Sequence, residues 1–330
     1  MHDNLNKIIA NSLIAPNLNQ KSLELQKAIS KIKESISTNQ AAIDLANKID
    51  LKNNNGFPIN FQIIANIFKL IEEETRIYGT VTLSKKEDTK KIIYGKQIMN
   101  KGTIALINEG NTYLILELIL RNILANNALI ICTNGYMYGT NKALVEIISN
   151  TLEALNMSKN LIQLYHTEDY QELLSKQANI DLVIAAGDRI FQRNMIRDTT
   201  IPTITSGYNN FDLYIESVDN LDFINKLISF NPNINLYTKK SLNLTYENAM
   251  EVEDIDEAIG EINYNGNNYN ATIFTNNEEN AAKFIREVHS SLVTINTSPT
   301  IEQLCDIKQS DLITERTIIY PATFKVDKSI

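Results

Sequence analysis

Cysteine is scarce: the 330 residues hold only Cys132 and Cys305, neither with a partner at metal-ligand spacing. Two thiols so placed make neither a disulfide framework nor a zinc site, and both are expected to be reduced. Positive charge is also in short supply. With 31 Lys and Arg against 39 Asp and Glu, the formal net charge is -8 and the pI about 5.1. No dense basic cluster offsets that average, so nucleic acid and anionic lipid meet no attracting field and neither is expected as a partner. Long apolar runs are missing too, for nothing approaches the roughly eighteen uninterrupted apolar residues of a membrane span. The chain begins Met1-His2-Asp3-Asn4, without the basic-then-apolar pattern of a signal peptide, and the expected compartment is the cytoplasm.

What is present is ordinary globular material, 43% hydrophobic and 21% charged, in a length that favours two domains over one. From Ser22 to Ile49 apolar residues recur at helical spacing, and Lys52-Asn53-Asn54-Asn55-Gly56 breaks the pattern. A second amphipathic helix is expected over about Phe61 to Ile77. Next, Tyr78 to Leu83 and Lys91 to Ile98 flank a polar turn and predict a β-hairpin arm with too little apolar face to stand alone. The centre alternates strand and helix from Gly102 to Ile215, the mark of a parallel, doubly wound sheet. From 219 to 296 the style repeats on a smaller scale and predicts a second α/β domain. Glu315 to Tyr320 reads as one more strand, suited to pairing with the hairpin or with a neighbouring subunit.

Several ordered segments resemble one family. Asn127-Ala-Leu-Ile-Ile-Cys-Thr-Asn-Gly-Tyr-Met-Tyr-Gly-Thr-Asn-Lys-Ala-Leu-Val-Glu146 is similar, without a gap, to the second strand, loop and helix of the cofactor domain in gamma-glutamyl phosphate reductase. Ile107-Asn108-Glu109 sits at the matching distance upstream, where the family has Tyr-Glu. Gln163-Leu164, Asp181 to Gly187 and Ile201-Pro202 to Asn210 follow the third and fourth βα units. Val252 to Ile259, Ile262 to Gly266, Ala271 to Thr275 and Ala281 to Asn296 resemble the second domain. The resemblance covers roughly residues 20 to 300. It implies an α/β, aldehyde-dehydrogenase-like fold: two doubly wound Rossmann-like domains plus a β-hairpin oligomerisation arm. The expected division is 1–77 and 99–216 for the N-terminal helices and cofactor-type domain, 217–312 for a truncated catalytic-type domain, and 78–98 and 313–330 for the arm strands.

Aldehyde dehydrogenases oxidise a thiohemiacetal, which takes a cysteine nucleophile, oxyanion donors, often a carboxylate base, and a nicotinamide. The resemblance projects the family's cysteine onto about Leu236 to Ser241, which contains none. A serine such as Ser241 is far less acidic than a thiol. The family's Arg-Pro-Asn falls on Asn111-Thr112-Tyr113, its glutamate on Thr205, and its cofactor-contacting base on Cys132. The family's glycine-rich substrate loop is replaced by Thr300 to Ile307.

The chain is therefore expected to be a non-catalytic member, a pseudoenzyme with a structural, assembly or regulatory role and no retained catalytic residue. The alternative is an NAD(P)-dependent oxidoreductase of aldehydes, acyl phosphates or acyl-CoAs with Cys305 as a relocated nucleophile. Thr133, Asn134, Gly135 and Gly187 are the positions at which a dinucleotide would be held, the free amides of a helix start being able to hold an anion. No cofactor is expected, with NAD or NADP as the alternative, and no metal. The expected partner is a second copy or a related dehydrogenase.

Overall fold

The computed structural model describes residues 2–53, 56–87, 92–108, 111–133, 135–167, 170–175, 179–206, 211–230, 234–246, 248–266, 269–297, 306–321 and 323. The chain divides into two compact units, one of Met1–Ala185, Ile196–Ile204 and Ile307–Ile330, the other of Ala186–Met195 and Thr205–Asp306.

Helices lead the chain: α1 (His2–Ile14), α2 (Ser22–Thr38), α3 (Gln40–Lys52) and α4 (Phe61–Glu72). The single helix predicted from Ser22 to Ile49 is broken at Asn39. Its cause is local, because Thr38 Oγ1 and Asn39 Nδ2 donate to the Glu34 and Ser35 carbonyls and compete with the helical ladder. α4 follows its apolar spacing, burying Ile64, Ile67, Phe68 and Ile71. It stops short of the predicted Ile77.

Strands β1 (Val81–Glu87) and β2 (Ile92–Asn100) form the antiparallel hairpin. The alternation follows as β3 (Thr103–Asn108), α5 (Thr112–Leu124), β4 (Ala128–Thr133), α6 (Tyr138–Ala154), β5 (Ile162–His166), α7 (Gln171–Leu174), β6 (Leu182–Ala186), α8 (Arg189–Asp198) and β7 (Thr203–Ser206). The second run is β8 (Phe211–Ile215), α9 (Leu221–Phe230), β9 (Ile234–Lys239), β10 (Met250–Val252), α10 (Ile255–Asn265), β11 (Asn270–Phe274), α11 (Glu278–Glu287) and β12 (Leu292–Ile295). The last strand is β13 (Ile313–Pro321).

Two five-stranded sheets have the orders β5-β4-β3-β6-β7 and β10-β9-β8-β11-β12. Each run starts on the central strand, winds outward one way and resumes on the other side. That doubly wound path creates a switch point beside the first strand of each sheet, where such folds admit ligands at the carboxyl ends. β3 and β4 are buried at every residue, as parallel strands covered on both faces should be. β8, which from sequence closes the central run, is instead the middle strand of the second sheet. Strand spacing alone does not reveal which sheet a strand joins.

Two apolar clusters pack against the second sheet. Tyr214, Tyr237, Ala271 and Ile273 meet α10 and α11 through Ile255, Ile259, Ile262 and Phe284, while Leu213, Ile215 and Leu236 meet α9 through Ile224 and Leu227. The hairpin gains its third strand from the tail. β13 pairs with β2 in unbroken antiparallel register from Ile313↔Asn100 to Pro321↔Ile92.

Candidate functional site

Thr133 ends β4, in register with Asn108 on one side and His166 on the other. Its carbonyl accepts from the Thr167 amide at 3.2 Å and from His166 Nδ1 at 3.1 Å, which places the imidazole proton on that nitrogen. Asn134 lies outside the described residues. Gly135 has φ +101, and a Cβ there would stand 3.0 Å from His166 Cε1, so the turn calls for glycine. Met137, fully buried, takes φ +51 at the amino end of α6, an uncommon conformation for a long side chain. Tyr138 rests against the His166 ring at 5.1 Å and Tyr136 against Phe57 at 6.5 Å. Both tyrosines are thus used in packing within the unit.

The first-turn amides of α6 already have an anion. Asp50, near the end of α3 and 6% exposed, accepts from the Gly139 amide at 3.2 Å, the Thr140 amide at 2.8 Å and Thr140 Oγ1 at 2.6 Å. A carboxylate in this place satisfies two orphan donors and complements the helix dipole. Gly139 permits the approach, since a Cβ would meet Asp50 Oδ1 at 2.9 Å. Asn47, one turn earlier, donates to the Phe57 carbonyl and accepts from the Ile59 amide, holding residues 56–60 beside the helix start. Sequence inspection missed Asp50. A signal was there, for Ile43, Asn47 and Asp50 share the buried stripe of α3 at helical spacing.

The triplet Asn111-Thr112-Tyr113 is likewise occupied. Asn111 caps α5 by accepting from the Tyr113 and Leu114 amides at 2.9 and 3.1 Å. Thr112 Oγ1 donates to Asn141 Oδ1 at 2.7 Å, and Tyr113 packs on Phe57 while its hydroxyl accepts from the Asn60 amide. Cys132 is buried, and burial pushes its thiol up, away from the thiolate a nucleophile needs. Cys305 lies outside the described residues.

In the second unit, Gly187 donates its amide to the Ser206 carbonyl at 3.1 Å, and a Cβ on it would collide with Phe191 at 2.7 Å. The next residue, Asp188, caps α8 by accepting from the Phe191 amide at 2.8 Å. Arg189 donates to the Asn263 and Gly266 carbonyls at 3.0 and 3.2 Å. There it serves the carboxyl end of α10.

The switch point of the second sheet holds Glu216, just past β8. Its carboxylate accepts from Lys239 Nζ at 3.0 Å, Thr275 Oγ1 at 2.6 Å and Asn280 Nδ2 at 2.8 Å. Burial alone would raise this carboxyl, but the hydrogen bonds from Thr275, Asn280 and Lys239, with the lysine's charge, bring it below the usual carboxylate range. Lys239 belongs to the segment onto which the family's cysteine projects. Ser241 lies in the 3-10 turn Lys240–Leu242 and is exposed. Among the described residues, no cluster of His, Cys, Asp or Glu could hold a metal ion, and no helix is long and apolar enough to cross a membrane.

Two doubly wound sheets, an antiparallel arm and a tail strand laid on that arm define the class, and solved structures agree. The fold is that of the aldehyde dehydrogenases. An acetylating aldehyde dehydrogenase from Geobacillus thermoglucosidasius superposes with a TM-score of 0.75 at 10% identity, covering 98% of each chain. Gamma-glutamyl phosphate reductase from Thermotoga maritima gives 0.65 at 17% identity, covering 98% of this chain and 100% of that one. Sequence relatives carry the same second name. Gamma-glutamyl phosphate reductase of Clostridium tetani is 22% identical over 352 residues, 82% of either chain. That of Petrotoga mobilis is 22% identical over 262 residues, and the match spans 63% of its length. No family model matches the chain. The chain thus has the fold of the aldehyde dehydrogenases and is similar in sequence to gamma-glutamyl phosphate reductases.

Proposed function

We propose that this chain is a non-catalytic aldehyde-dehydrogenase-like protein that acts through assembly, as a homodimer or joined to a related dehydrogenase. The observation that carries the reading is the carboxylate on each candidate anion-holding helix start, Asp50 on α6 and Asp188 on α8. A dinucleotide's phosphates would meet negative charge at both places, and the Gly139, Thr140 and Phe191 amides are already satisfied, so neither NAD nor NADP is held. Other support is the absence of cysteine from Leu236 to Ser241 and the structural use of Asn111, Thr112 and Tyr113. The assembly part rests on the arm. β1 breaks register with β2 between Leu83 and Lys85, whereas β13 is an unbroken strand whose outer edge pairs with no other strand among the described residues. A regular open edge is a template for another strand.

The test has two arms. Incubation of acyl phosphates and acyl-CoAs with NADH or NADPH, and of aldehydes with NAD or NADP plus phosphate or coenzyme A, should show no hydride transfer, and Cys305→Ala should change nothing. Turnover lost in that variant would establish the oxidoreductase instead. Light scattering on the eluted protein at micromolar concentration should give a dimer or a co-purifying dehydrogenase. Monomer alone would remove the assembly role.

A further inference from the structure

No further inference is drawn: the strongest candidate, the amino-terminal turn of α6 with the Asp50 carboxylate seated on its amides, belongs to the site already described, and no second observation there points to a ligand.

Discussion

The two units close the carboxyl edges of their sheets by different means. In the first, the closing carboxylate is imported: Asp50 reaches α6 from α3, a sequence separation of about ninety residues, and is met by amides and a hydroxyl. In the second, Glu216 follows the sheet's own central strand and is met by Lys239 at the end of β9, Thr275 just past β11 and Asn280 in the first turn of α11. The first arrangement neutralises a helix start, and the second pairs opposite charges at a switch point. Both leave the polar groups spent on the fold itself, as the proposed non-catalytic role requires.

The largest effect should follow from breaking the imported closure. Asp50→Ala strips the acceptor from the buried Thr140 amide and hydroxyl and the half-buried Gly139 amide, and should cost about 2–4 kcal/mol in denaturant unfolding. Hydrogen exchange should rise at α3 and the start of α6 while the second unit keeps its protection. Equal loosening of both units would erase the distinction drawn between them. Glu216→Gln should cost less, about 1–2 kcal/mol, because the amide keeps one acceptor while Lys239 loses its counter-charge. That loss should appear at β8, β9 and β11, measured by the same exchange experiment.

Acid sharpens the contrast further. Glu216 is lowered in the folded state, so its stabilisation is fully present above the pKa of an unfolded glutamate and disappears as pH falls through the folded value. Melts recorded from neutral pH down through the carboxylate range should lose stability faster for the wild type than for Glu216→Gln. Parallel curves would mean that the Glu216 network contributes nothing. The smallest effect is expected from Asn111→Ala, which removes the cap of α5 and should cost about 1 kcal/mol by thermal unfolding.

Much of this fold was readable in the residues. Period-two and period-3.6 patterning, with breakers at Lys52 to Gly56, placed most elements, and β6 falls inside the segment Asp181 to Gly187 that the resemblance picked out. The ordered segments from Asn127 to Asn296 pointed to the aldehyde dehydrogenase fold that the superpositions display. Assignment of β8 escaped because sheet membership is a long-range property. The break at Asn39 escaped because apolar periodicity continues through it, while the competition from Thr38 and Asn39 side chains is local chemistry. Asp50 escaped for a different reason: its partners lie on another helix, and nothing in the spacing of α3 names them. The role of Arg189 was not legible because the α10 carbonyls that receive it are remote in sequence.

Dinucleotide binding tests the proposed non-catalytic role most directly. Calorimetric titration of the wild-type protein with NAD and with NADP should give no heat beyond dilution up to millimolar concentration. Saturable binding of either at micromolar affinity would contradict it.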